Sequence, residues 1–203
     1  FPYTTLFRSL VRASELRSVM TNIDAFKAQT GAFRIKYNGL PGDIPNATTF
    51  LGGTVTNGDG DSQIDYLLGA PGEEYNTWNH LAAAKMIAGD FTGEATSLPK
   101  ARLGGGMYRI FYQTNVYTKN ANMISLAAMN TTYNLAHDPI LEPKDAFSID
   151  AKMDDGLADR GQVLGYNAEG VPGCVTNDYT AGSGDYILTN SGKLCKMYFM
   201  LGF

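Results

Sequence analysis

From Leu10 to about Tyr37 the apolar residues recur every three or four positions. Leu16, Met20, Ile23, Phe26, Thr30, Phe33 and Tyr37 share one face, while Arg12, Glu15, Arg17, Asn22, Asp24, Gln29 and Arg34 lie mostly elsewhere. The spacing predicts a long amphipathic helix with one stripe to bury. Gly31 weakens it by about 1 kcal/mol relative to Ala. Asn38-Gly39 followed by Pro41 ends it, because Gly suits the C-terminal cap and Pro cannot continue a helix. A short helical turn is expected at Pro45 to Leu51, and a polar Gly-rich loop at Gly52 to Asp61. A second helix is expected from Glu73 to Ala88, with Gly89 as its stop. Beyond it the period shortens. Strands are predicted at Met107 to Gln113, Met123 to Met129, Gln162 to Tyr166, Tyr186 to Leu188 and Leu194 to Leu201. A helix from Pro143 to Met153 interrupts them.

The strands do not alternate regularly with helices, which argues against a doubly wound parallel sheet. The fold class that follows is α+β, with the first helix laid against an antiparallel sheet. A chain of 203 residues suits one domain with elaborated loops, and hydrophobic residues at 44% are enough for a core. Phe1 to Ser9, reading FPYTTLFRS, match the translation of a sequencing adapter and are set apart as a scar. The alternative is a genuine N-terminal strand. Residues 10–203 then form a single domain whose natural chain continues upstream.

The net charge is -4 and the Lys and Arg residues form no run, so nucleic acid is not an expected partner. The two cysteines, Cys174 and Cys195, cannot make a zinc site alone. They read either as a disulfide closing a polar C-terminal loop, which implies an oxidising compartment, or as unpaired thiols.

Enzyme chemistry finds little support. His80 follows Trp78 and Asn79 on a predicted helix and reads as a packed residue; His137 precedes Asp138-Pro139 in a turn setting. Ser183 lies in a Gly-rich loop, with no nucleophile elbow around it. Gly104-Gly105-Gly106 lacks the Lys-Ser/Thr of a phosphate loop. Asp154-Asp155 reads as a solvated helix end. One constellation survives. Asn57, Asp59 and Asp61 place oxygen ligands at alternate positions of a tight Gly-rich turn. The carbonyl of Gln63 and the side chain of Asp65 follow in register. Calcium needs 6–8 hard oxygens, and this spacing points them inward. The bidentate carboxylate of such a loop is missing, since its position is Leu68; Glu73 or Glu74 is placed to reach back. The competing reading is an Asx/Gly turn that needs no metal.

The stretch Phe33-Arg34-Ile35-Lys36-Tyr37-Asn38-Gly39-Leu40-Pro41-Gly42-Asp43, following the amphipathic helix, resembles pilin-like proteins of type II secretion systems and type IV filaments. So do Asn57-Gly58-Asp59-Gly60-Asp61, Trp78-Asn79-His80-Leu81, the run from Ala146 to Gly156 and the C-terminal cysteine pair. In order and spacing they cover most of the chain. The resemblance implies a non-enzymatic structural subunit whose first helix, in its missing upper half, is a membrane anchor and later a filament core. It implies homologous filament subunits and inner-membrane assembly machinery as partners. The subunit would face the periplasm first and then join a periplasmic or extracellular filament. The alternative is a minor tip subunit or adhesin that holds glycan or a surface polymer through Tyr-rich loops.

Overall fold

The computed structural model describes residues 2–66, 72–130, 135–168, 170–177, 182 and 184–203, with backbone alone at 2–5 and 135. Leu68 and Ser183 therefore lie outside the described residues. Helix α1 (Pro2–Tyr37) is followed by α2 (Ala47–Leu51), α3 (Glu73–Ala83) and a short 3-10 turn at Ala95–Ser97. Strands β1 (Gly106–Val116), β2 (Lys119–Asn130) and β3 (Leu135–Asp138) come next. Helix α4 (Pro143–Met153) precedes β4 (Val163–Asn167) and β5 (Cys195–Met200). The helix thus continues through the segment set apart as a scar. No described helix is long and apolar enough to cross a membrane.

The sheet is five-stranded in the order β1-β2-β5-β4, with β3 on β2 beyond the end of β5, and every pairing is antiparallel. Register sorts the side chains by the period of two. Tyr108, Leu126 and Met197 form one row and Ile110, Ile124, Phe199 and Val163 the next; all are buried toward the helices. Against these rows α1 packs Leu16, Val19, Ile23 and Phe33. Phe26 sits edge-on to Trp78 of α3 at 4.8 Å and to Tyr108 at 5.1 Å, and Asn22 donates to the Tyr108 hydroxyl at 3.3 Å. The opposite rows, holding Phe111, Met123, Leu164 and Tyr198, make a second buried cluster with Tyr117. Both faces of the sheet are therefore covered.

Three expectations are corrected. Helix α3 stops at Ala83, not Ala88. Its last carbonyls are closed by Met86 N–H to Leu81 O and Lys85 N–H to Ala82 O, both 2.9 Å. That Schellman pattern puts Lys85, not Gly89, in the left-handed conformation at φ 59°. The segment Tyr186 to Leu188 is not a strand. It makes one isolated bridge to Val175, and the chain then turns as Leu188 N–H donates to Tyr186 O. His137 stands on β3 and not in a turn; its Nε2 lies 2.9 Å from Lys196 Nζ.

Cys174 and Cys195 are bonded, with Cα atoms 4.9 Å apart. The bridge pins the loop after β4 to the first residue of β5. Asn167 Oδ1 accepts from Gly173, Cys174 and Val175 N–H on the same side.

Candidate functional site

The acidic loop lies beyond the end of α1, between α2 and α3. Asn57-Gly58 passes so close to Asp43 that a Cβ at Gly58 would collide with the Asp43 backbone. This approach brings Asp43, 2% exposed, under the turn. Asp43 Oδ1 accepts from Gly60 N–H at 2.8 Å, and Oδ2 from Ser62 N–H at 3.1 Å. Carboxylate oxygens of Asp43, Asp59 and Asp61 all come within 4.8 Å of one another.

Of the residues expected as ligands, Asp59 and Asp61 belong to this group. Asn57 is turned away: its Oδ1 accepts from Thr48 N–H at 2.9 Å and so caps α2. The Gln63 side chain donates to Asp61 Oδ2 at 3.1 Å, and its N–H to Asp61 Oδ1 at 2.7 Å. Asp65 is exposed, and its N–H is held by Glu73 Oε2 at 3.0 Å. Glu73 Oε1 accepts from Asp59 N–H, also at 3.0 Å. Glu73 thus reaches back to two backbone N–H groups, one at each end of the turn, and is not among the three clustered carboxylates. Glu74 points inward instead, its Oε2 3.0 Å from Arg109 Nε in a buried ion pair.

Burial and then the neighbouring carboxylates set the electrostatics. Loss of solvent pushes Glu73 up to about 7, with further repulsion from Asp43 and Asp59, against the hydrogen bonds that favour its charge. Asp43 and Asp65 are raised for the same reasons. The arrangement is a group of hard oxygen donors whose charges oppose one another, and a divalent cation would relieve that repulsion. Each carboxylate oxygen that accepts one N–H retains a further lone pair. Three carboxylates fit calcium chemistry, with the remaining ligands to come from backbone oxygens or water.

Sequence spacing did not signal Asp43. It lies outside the alternating run and reaches the turn only through the packing of Gly58.

His80 is structural. Its Nδ1 accepts from Gly42 N–H at 2.8 Å, and its Nε2 is 2.7 Å from Thr56 O, so a neutral ring protonated at Nε2 satisfies both. Burial lowers its pKa, against the Thr56 hydrogen bond, and so favours the neutral ring. Asp154 and Asp155 flank the end of α4 and accept backbone N–H groups from Val163 and Leu157. Asp150, buried beside them, accepts from the Tyr186 hydroxyl at 2.8 Å and from Gly156 N–H.

No protein-family model matches the chain. No curated protein matches it either. Among solved structures, the major type IV pilin PilA1 from Clostridium difficile aligns over 95% of this chain and 98% of its own, at 12% identity and a TM-score of 0.46. The fold assignment rests on the described elements themselves: a long N-terminal helix packed on an antiparallel sheet.

Proposed function

We propose that this protein is a structural subunit of a type IV-like filament, either a type II secretion pseudopilus or a pilus. On this reading it is held in the inner membrane by a segment preceding these residues until assembly machinery extracts it. The observation that carries the reading is the division of α1. From Leu16 onward the stripe of Leu16, Val19, Ile23 and Phe33 is buried in the core, whereas Leu10 is 62% exposed and Val11 42%; near the other end Ile35, off that stripe, is 87% exposed. From Leu10 to Tyr37, leaving out the segment set apart as a scar, the helix spans about 42 Å at about 1.5 Å per residue. The unburied end offers an apolar ridge to other copies, and head-to-tail contacts that do not close give open filaments. The motif resemblance from Phe33 to Asp43 supports the same assignment.

Calcium at Asp43, Asp59 and Asp61 belongs to this proposal as the ion that stiffens the loop between α2 and α3. The donor set and the mutual repulsion of its carboxylates support it.

Expression of the complete reading frame with a prepilin peptidase and an assembly system tests the function. Filaments, or ladders of crosslinked multimers, are the expected products. A protein that stays monomeric in the inner membrane under those conditions would refute the filament role.

A further inference from the structure

The triplet Asn-Xaa-Thr occurs twice, at Asn46-Ala47-Thr48 and at Asn130-Thr131-Thr132. With any residue but Pro in the middle, such a triplet on the surface of a secreted protein is an acceptor for glycan transfer to the Asn carboxamide. The structure separates the two. Asn130 is the last residue of β2, paired with Leu135, and its Nδ2 donates to Asp138 Oδ1 at 2.7 Å. Its nitrogen is engaged.

Asn46 is different. It is exposed, in the turn that follows Pro45 and leads into α2. Asn is among the residues best suited to cap a helix with its own side chain, yet Asn46 makes no such bond. Asn57 does the capping from the neighbouring loop, by accepting the Thr48 N–H. Among the described residues, the Asn46 carboxamide has no hydrogen bond. Thr48 is also exposed, as the recognition of the triplet requires. Phe50, one helical turn beyond Asn46, is 54% exposed beside the Tyr37 ring and presents an apolar surface on the same side. The buried Cys174–Cys195 disulfide fits an oxidising, extracytoplasmic compartment, where such transfer takes place.

We propose that Asn46 is an N-glycosylation site and that Asn130 is not. The donor is a sugar activated as a polyprenyl diphosphate, and a membrane-bound oligosaccharyltransferase is the catalyst. Asn46 Nδ2 attacks the anomeric carbon and the C–N bond forms. The bond from that carbon to the diphosphate oxygen breaks, and the polyprenyl diphosphate leaves with the electron pair. The amide proton passes to a carboxylate base of the transferase. No oxidation or reduction occurs. The first sugar ring then lies over Phe50. The proposal is independent of the filament reading and needs only an extracytoplasmic location.

Mass mapping tests it on the folded, disulfide-bonded protein. The protein is incubated with a single-subunit oligosaccharyltransferase that requires only Asn-Xaa-Ser/Thr, together with a polyprenyl-diphosphate-linked oligosaccharide. The tryptic peptide carrying Asn46 should gain one glycan, and Asn46→Gln and Thr48→Ala should each abolish the gain. The Asn130 peptide should stay unmodified in the folded protein and be glycosylated after reduction and unfolding. Protein purified from its own host should be heavier than its sequence by a glycan on the Asn46 peptide. A bare Asn46 in the host-derived protein, no transfer to Asn46 in the folded protein, or equal transfer to Asn130, would each overturn the proposal.

Discussion

Glu73 joins two stretches of backbone that would otherwise be held only by local turns, and it does so at an electrostatic cost. Its carboxyl is held up to about 7, as are those of Glu74 and Asp150, in each case first by burial. A native carboxyl with a raised pKa binds a proton that the unfolded chain has released. Stability therefore falls as pH rises from the unfolded values toward 7, and is greatest at the lower end of that window. Thermal melts in EDTA should show a lower Tm at pH 7.5 than at pH 5, and Glu73→Gln should narrow the gap. A Tm that rises over this range would contradict the assignment. The proposed calcium would act on the carboxylates beside Glu73. Millimolar CaCl2 should raise the Tm at pH 7.5, and Asp43→Asn or Asp61→Asn should remove the gain while magnesium gives little. Isothermal titration that detects no calcium binding at millimolar concentration would dismiss the metal. Asp59 and Asp61 were legible from their alternating spacing with Gly. Asp43 was not, because nothing local marks a residue that reaches the turn through tertiary contact.

Elements are closed here by side chains at positions where the chain pattern offers no signal. The β1–β2 hairpin turns at Tyr117 and Thr118, with φ of 48° and 66°, and Asn115 bulges the strand before it. Hairpins of this shape favour Asn-Gly or Gly-Gly, so the strand pattern stopped short at Gln113 and resumed at Met123. The strained tip is held by the Tyr117 hydroxyl, which donates to Gly165 O at 2.8 Å, and by Lys119 Nζ, which donates to Gly161 O. Opposite that contact, Gly165 leaves room for the Tyr186 ring, with which a Cβ would collide. Gly165→Ala should displace Tyr186 from Asp150 and cost about 1–3 kcal/mol by overpacking, read by urea denaturation. An unchanged midpoint would show that the ring adapts freely. The disulfide acts at the same scale, since it closes a separation of 21 residues onto β5. Replacing both cysteines by Ser should cost about 3 kcal/mol in the chain-entropy model. Limited proteolysis should then cut first between positions 174 and 195, and a pattern identical to the parent would argue against the clamp.

Charge and apolar surface are unevenly divided over the whole molecule. From Leu10 on, helix α1 carries Arg12, Arg17, Lys27, Arg34 and Lys36 against Glu15 and Asp24, while the chain as a whole is at -4. A basic rod is thus joined to an acidic body, an arrangement that favours contact between the helix of one copy and the body of another. Leu10→Glu with Val11→Glu should abolish assembly of the full-length protein and leave the Tm of the folded domain unchanged. Assembly that survives this double change would place the contact elsewhere. Many tyrosines, by contrast, serve the interior: Tyr75, Tyr108, Tyr117 and Tyr198 are buried. Their number in the sequence says little about a binding surface.

The sequence by itself determined the long first helix, the α+β class, the helix opened by Pro143, the strands before and after the cysteine loop and the acidic turn. All of these rest on periods of 3.6 or 2 and on residues such as Gly and Pro that act on their own backbone. Tertiary structure decided the rest. A hairpin without Gly could turn because Tyr117 found a partner across the sheet. Asp43 could join the acidic turn because two loops packed closely enough to exclude a side chain at Gly58. Each of these depends on groups far apart along the chain, and a local pattern carries no record of where distant groups will meet.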